Sequence, residues 1–326
     1  MESDSRVRRA GRGGQPAGRV LLTLVLTVAG CGDRTGLTGG GVPPADLATA
    51  DLAAVADLAT GDLSRAADLL SPPDLASLPD LVVPRGAAMG IFRGPGWVLD
   101  TNHSRAFEQL DAQFDFGLAR DIPVAGDFGK LKGSQVGVVR AANGSLSWSL
   151  DSNGNRAFDN GDAVYSFGSA NAIPVVGDWT GDGRAKIGTF MGGSWVLDKN
   201  ANGIYEANID IACNFGQMGD IPVVGDWNGD GTADVGVFRQ GSFVLDTNGS
   251  CSFDNGDATF MFGQPGDRPL VADWNGDGTS DVAVTRSNGA GALSWSLDSN
   301  GNHAFDGNDE VVLFGRDTDL AVAGAW

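Results

Sequence analysis

The chain is short of the groups that carry most enzyme chemistry. Two His, two Tyr and four Lys stand among 326 residues, so general bases are scarce. Three Cys are too few for a disulfide scaffold, and no Cys or His pairs fall at zinc-ligand spacing. There is no Walker A phrase and no Gly-x-Ser-x-Gly elbow. Positive charge is also scarce. Lys plus Arg number 22 against 41 Asp plus Glu, a net charge of −19. That balance argues against nucleic acid, whose affinity comes from neutralised phosphates, and against a basic membrane-surface helix. The one apolar run is short and N-terminal, so no segment is long enough to span a bilayer. Glycine is plentiful instead: 50 residues, roughly twice the usual share.

Arg6, Arg8, Arg9, Arg12 and Arg19 precede an apolar run from Val20 to Ala29, the order and size of a signal peptide over residues 1–30. Val28-Ala29-Gly30-Cys31 resembles a bacterial lipoprotein lipobox. The resemblance implies cleavage before Cys31, lipidation of Cys31, and attachment to a membrane through that anchor. Gly32 does not resemble the inner-membrane retention signal, so the outer membrane or cell surface is expected. An ordinary secretory signal is the competing reading. Removing residues 1–30 takes away five Arg and two acids, a net +3, and leaves −22. Residues 31–87 read as a linker. Asp-Leu recurs at Asp46, Asp51, Asp57, Asp62, Asp68, Asp74 and Asp80, a step that throws successive leucines to opposite sides of a helix. Pro72, Pro73 and Pro79 interrupt any helix that starts. The composition predicts a disordered or loosely helical spacer of roughly 40 Å, or else a partner-binding repeat.

Residues 88–326 are one unit repeated. Ile-Pro-Val-Val-Gly-Asp-Trp stands at 173–179 and 221–227, with variants at 122–128, 269–274 and 320–326. Each unit holds four short β-branched or aromatic runs separated by Gly, Asn and Asp turns, which read as strands. Four antiparallel strands per unit, repeated radially, describe a β-propeller blade. The N-terminal unit lacks a first strand and the C-terminal unit has only a first strand. The two fragments predict one blade, with Leu320–Trp326 inside and residues 90–117 outside, and hence an all-β, five-bladed ring without free sheet edges. An open array or a truncated larger ring is the alternative. All eight Trp follow the period, which predicts packing between blades. Phe-Gly closes every fourth strand, from 116–117 to 314–315, where Gly is expected to supply a left-handed turn.

The candidate chemistry lies in Asp/Asn loops. Between first and second strands stand Asp226, Asn228, Asp230, Thr232 and Asp234, then Asp273, Asn275, Asp277, Thr279 and Asp281. Oxygen side chains fall at positions 1, 3, 5 and 9, with a backbone carbonyl at 7 and a Gly after position 5. Calcium takes six to eight hard oxygens, and this alternation wraps them around one point. Asp178, Thr180 and Asp182 begin a third copy, but Lys186 replaces the last acid and its ammonium is expected to substitute for the metal. Asp127 stands in a degenerate copy. A second series lies between third and fourth strands: Asp151, Asn153, Asn155 and Asp159; Asp198, Asn200, Asn202 and Glu206; Asp298, Asn300, Asn302 and Asp306. Asp100, Asn102, Ser104 and Glu108 share the spacing, as do Asp246, Asn248, Ser250 and Asp254. Turn propensity without metal is the competing reading, since Asn-Gly and Asp-Gly make hairpins unaided. Both series are expected on one acidic rim, with the ends at Arg93, Arg140, Arg239 and Arg286 on the other face.

These loops and the Phe-Gly closure resemble the FG-GAP or VCBS repeat shared with integrin α-chain propellers. The resemblance implies calcium sites that stiffen blades, and roles in adhesion or ligand binding. Expected function is a non-catalytic module for protein or polysaccharide. A calcium-dependent polysaccharide lyase or hydrolase and a purely structural envelope protein are the alternatives. Cys213 and Cys251 are placed for a possible inter-blade disulfide, and His103 and His303 are read as surface turn residues.

Overall fold

A computed structural model describes residues 86–326. The signal segment, Cys31 and the linker up to residue 85 lie outside the described residues. The described part is all-β, a five-bladed propeller of four-stranded antiparallel sheets. Blade 1 runs from the axis outward as β20 (Leu320–Gly324), β1 (Ala88–Arg93), β2 (Gly96–Leu99) and β3 (Ala112–Asp115). Blade 2 holds β4 (Ile122–Gly126), β5 (Gln135–Ala142), β6 (Ser145–Leu150) and β7 (Ala163–Ser169). Blade 3 holds β8 (Ile173–Gly177), β9 (Lys186–Met191), β10 (Ser194–Leu197) and β11 (Ile211–Asn214). Blade 4 holds β12 (Ile221–Gly225), β13 (Asp234–Arg239), β14 (Ser242–Leu245) and β15 (Ala258–Met261). Blade 5 holds β16 (Arg268–Ala272), β17 (Asp281–Ser287), β18 (Ala292–Leu297) and β19 (Glu310–Arg316).

The chain closes as its two fragments require. β20 pairs with β1, placing Ile91 opposite Ala321, and the Trp326 Nε1 donates to the Met89 carbonyl at 3.2 Å. A circle of backbone bonds runs around one rim. Ser134 N donates to Ala325 O, Ala185 N to Asp127 O, Ala233 N to Asp178 O, Ser280 N to Asp226 O, and Ala87 N to Asp273 O. Each bond joins the first-to-second-strand connection of one blade to that of its neighbour, and in blade 1 Ala325 after β20 and Ala87 before β1 stand in place of that connection. Closure does not remove sheet edges, however. Every blade keeps its fourth strand as an outer edge, as radial repetition does.

Burial follows from position in the sheet. Second strands are buried at nearly every residue, because blades cover both of their faces, whereas third strands alternate. Inner strands carry Pro123, Pro174, Pro222 and Pro269 around an axial cavity of about 210 Å³. Proline fits there because an edge strand has no second ladder to feed. Each core cluster joins third-strand residues of one blade to second-strand residues of the next, as Trp195 and Phe215 pack with Val235 and Val237. Trp97, Trp148, Trp195 and Trp295 are fully buried, and each indole N–H donates to the carbonyl of the Phe-Gly phenylalanine, from 2.8 to 3.0 Å. The Phe-Gly glycines are left-handed, with φ from 87° at Gly315 to 137° at Gly263. Trp148 and Trp295 lie mid-strand rather than at strand starts, because β6 and β18 extend into longer hairpins.

Candidate metal centres

One backbone path serves both loop series. Positions 4 and 6 are left-handed in each, as at Gly229 and Gly231 (φ 76° and 85°) and at Gly276 and Gly278 (79° and 93°). The path persists where glycine is missing, at Lys130 and Lys132 (57° and 63°) and at His103 and Arg105 (59° and 58°). The aspartate at position 1 organises the curl by accepting N–H groups from the loop it opens. Asp226 accepts from Gly229 at 2.7 Å, Asp230 at 3.2 Å and Gly231 at 2.8 Å. Asp273 accepts from Gly276, Asp277 and Gly278 in the same way.

Four versions of the first series show what occupies the centre of the curl. In blade 3 the Lys186 side chain, only 4% exposed, fills it. Its Nζ donates to Asp178 Oδ1 at 2.8 Å, Thr180 Oγ1 at 2.7 Å, Asp182 Oδ1 at 2.8 Å and the Arg184 carbonyl at 2.9 Å. These are positions 1, 3, 5 and 7, so the ammonium stands at the centre of the loop's oxygen set. In blade 2, Gln135 stands at position 9, and its Nε2 donates to Asp127 Oδ1 at 3.3 Å and to the Gly133 carbonyl. In blades 4 and 5 position 9 is an acid. Asp234 and Asp281 are buried, and burial first, then neighbouring carboxylates, pushes each up to about 7. In blade 1 the corresponding residues are Ala325 and Ala88, neither of which has a polar side chain.

This series passes a chemical test for a hard divalent cation. Where a cationic or amide nitrogen enters the curl, the oxygens are satisfied. Where a carboxylate enters, the acids at positions 1, 5 and 9 accumulate negative charge, which a proton or a bound cation relieves. Asn228, Asp230 and Thr232 flank Asp234, and Asn275, Asp277 and Thr279 flank Asp281. Asn228 donates to Asp234 at 3.1 Å and Asn275 to Asp281 at 3.4 Å.

The second series occurs in all blades. Its position-1 residues, Asp100, Asp151, Asp198, Asp246 and Asp298, are at most 1% exposed. Asp151 accepts from Asn155 N at 3.1 Å and Arg156 N at 2.9 Å. The acid at position 9 is drawn to loop amides. Asn153 and Asn155 donate to Asp159 at 3.1 and 2.6 Å, Asn200 and Asn202 to Glu206 at 2.7 and 2.6 Å, and Asn302 to Asp306 at 2.8 Å. Asn300 supplies its side-chain oxygen to Asn302 N at 3.1 Å. Among the described residues no three His, Cys, Asp or Glu side chains converge into a metal-holding group. Amide, hydroxyl and backbone oxygens make up most of each set, which suits calcium. Sequence reasoning missed a further acid in every loop: Asp111, Asp162, Asp210, Asp257 and Asp309. Each accepts the N–H of the position-9 residue, at 2.7–2.9 Å. The signal was present as an Asp eleven residues after the first, or twelve in blade 3.

The second-series loops also reach the preceding blade through position 6. Arg156 lies over the Phe114 ring at 5.3 Å, and His303 stacks on Phe260 at 4.1 Å. Gly203 sits so close to Tyr165 that a Cβ would overlap the ring. Arg105 pairs with Glu310, and Cys251 is disulfide-bonded to Cys213. Position 8 is aromatic throughout. Phe107 meets Phe314, Phe158 meets Phe116, Phe253 meets Phe215 and Phe305 meets Phe262, each at about 6 Å. His303 is therefore part of a seam and not a bare surface turn.

The arginines at second-strand ends are not a free basic ring. Arg93, Arg140 and Arg239 grip Asp319, Asp121 and Asp220 through two bonds of 2.6–2.7 Å, and Arg286 reaches Asp267 at 2.7 Å. The aspartates are buried, and hydrogen bonding to them raises Arg93, Arg140 and Arg239 above the ordinary guanidinium value. In blade 3 both members are absent: Met191 and Ala172 take the places of arginine and aspartate. A cavity of about 270 Å³ opens there, lined by Met191, Ala172, Phe167 and Tyr205.

No family model and no curated protein matches the chain.

Proposed function

We propose that this propeller is a calcium-stabilised, non-catalytic binding module for protein or polysaccharide, held at the cell envelope by a lipid on Cys31. Its loop phrase and Phe-Gly closure support kinship with the FG-GAP or VCBS propellers. The observation that carries the cation reading is Lys186, whose ammonium sits among the oxygens that Asp226, Asn228, Asp230 and Thr232 repeat in blade 4. Calcium bound there would supply charge neutralisation, and the residues of the curl would orient it. Extracellular sites commonly bind at roughly 0.1–1 mM. Millimolar calcium would then stabilise each site by about 0.4–1.5 kcal/mol. Support for binding over catalysis comes from how the repeat departs from itself. Among the described residues two departures remove charged groups, at Ala88 with Ala325 and at Ala172 with Met191, and the acids with raised values sit in the candidate metal loops.

Glycan and protein arrays probed with and without calcium test the reading. Calcium-dependent retention on a ligand class is expected. Turnover of an acidic polysaccharide by the purified chain would replace it with the lyase or hydrolase alternative. A melting temperature unmoved by a chelator would remove calcium from it.

A further inference from the structure

Blade 3 departs from the other blades at four positions that meet in one place. Met191 and Ala172 stand where the others hold the paired arginine and aspartate. Thr189 stands where the other second strands have Ile91, Val138, Val237 and Val284. Tyr205 stands at loop position 8, where the others have phenylalanine. All four departures line the cavity of about 270 Å³ between the ends of β7 and β9. Two of them remove a charge and two add a hydroxyl. The same place in blade 5 keeps Val284, Arg286 and Phe305, and its cavity is about 180 Å³.

The aromatic pair is also open here. In the other four blades the position-8 phenylalanine meets the preceding Phe-Gly ring at about 6 Å. Among the described residues Tyr205 makes no ring contact with Phe167, and both rings wall the cavity instead. Phe167 is buried and Tyr205 half exposed. No hydrogen bond within the described residues engages the Thr189 or Tyr205 hydroxyl, and Ser194 adds a third hydroxyl to the wall. This lining selects a chemistry. It contains no charged side chain, so a charged ligand would lose hydration and gain no counter-ion. A hydrocarbon would cover the hydroxyls without replacing their water. An uncharged ring with an apolar face and hydroxyls along its edge satisfies both parts of the wall. Pockets for drug-sized ligands run to roughly 300–1,000 Å³, so this one suits a single ring.

We infer that the blade 3 cavity is a recognition site for one neutral sugar residue, with its apolar face against Phe167 and Tyr205 and its hydroxyls toward Thr189, Ser194 and the Tyr205 hydroxyl. This rests on the binding reading above, to which it gives a place and a ligand class, and not on calcium in the loops. The other four blades keep the arginine and aspartate at this place, so the ring carries one such site.

The test uses the full chain and three variants that copy the other blades. A172D/M191R installs their ion pair in the cavity, while T189V and Y205F each remove one hydroxyl. Glycan and protein arrays are probed first. Methyl glycosides of glucose, galactose, mannose and N-acetylglucosamine are then titrated by calorimetry, and thermal melting checks the fold. Wild-type chain should be retained on neutral glycans and bind at least one glycoside. A172D/M191R should melt no lower than wild type and lose that binding. T189V and Y205F should weaken it by about three- to tenfold each, the worth of one hydrogen bond. If the double variant does not fold, the two hydroxyl variants decide alone. Wild-type chain retained on no glycan and no protein overturns both readings. Retention on proteins or acidic glycans alone, or neutral-sugar binding unchanged in the folded variants, overturns this inference and leaves the binding reading standing.

Discussion

Replacing Lys186 with Met tests the cation logic without adding any metal. The methionine keeps the apolar stem and removes the ammonium that four oxygens share at 2.7–2.9 Å. Breaking a buried ion pair by removing one partner costs about 3–5 kcal/mol. Asp178 is 20% exposed and Asp182 46%, so solvent screens part of this, and about 2–3 kcal/mol is expected. For a domain of this size that is a fall in melting temperature of about 5–10 °C, measured by calorimetry at pH 7 in a chelator. The pH dependence has a definite sign. Hydrogen bonding from Lys186 holds Asp182 well below the usual carboxylate range. Burial pushes Asp178 up, but bonds from Lys186, Gly183 and Thr180 outweigh it and leave it lowered. Depressed carboxylates stabilise above their unfolded values near 4, and the contribution disappears as pH falls through the folded ones. The gap between wild type and K186M should therefore be full at pH 7 and close below pH 4. Millimolar calcium should restore part of the loss in K186M and more in K186D, which completes the acid set. A K186M protein as stable as wild type in chelator would refute the reasoning.

Three further outcomes follow from the same geometry. Asp234 and Asp281, each raised to about 7, bind protons in the folded state that they lack when unfolded between pH 4 and 7. Calcium-free protein should thus lose stability across that window as pH rises, by about 4 kcal/mol per group at face value and about 2 after screening, and D234N/D281N should flatten the profile seen by denaturant titration and abolish much of the calcium response. R239M should cost about 2–3 kcal/mol by stranding buried Asp220, while R239M/D220A, which copies the Met191 and Ala172 of blade 3, should recover most of it, a coupling read by a double-mutant cycle. W295F should cost about 1–3 kcal/mol in urea unfolding, from the lost bond to Phe314 and the space the smaller ring leaves.

The repeat was legible because it is local. Strand order, ring closure through Trp326, the burial of Trp195 and its equivalents, and the left-handed Phe-Gly turn all follow from patterns within one unit. The Lys186 ammonium could be read because its partners lie within eight residues. Contacts between units were not legible in the same way. Asp220 stands just before the Ile-Pro-Val phrase, yet nothing local says that Arg239 will hold it. The pairing becomes visible only when Ala172 and Met191 drop out together. The position-12 acids lay just past the window in which the loops were read. The seam contacts of Arg156 and His303 require knowing which residue the neighbouring fourth strand presents, whereas the inter-blade disulfide of Cys213 and Cys251 was expected from the places of the two cysteines in the repeat.

Those five seams have a consequence for how the ring assembles. A polypeptide made of near-copies risks threading one module into a neighbour's berth, or exchanging modules between molecules. Here each junction uses a different fastener at the same spot: a cation over a ring, a ring against bare backbone, a covalent bridge, a stacked imidazole, an ion pair. The disulfide and the ion pair fit no other counterpart, so the order of modules around the circle is keyed at those junctions, and a module misplaced there forfeits its catch.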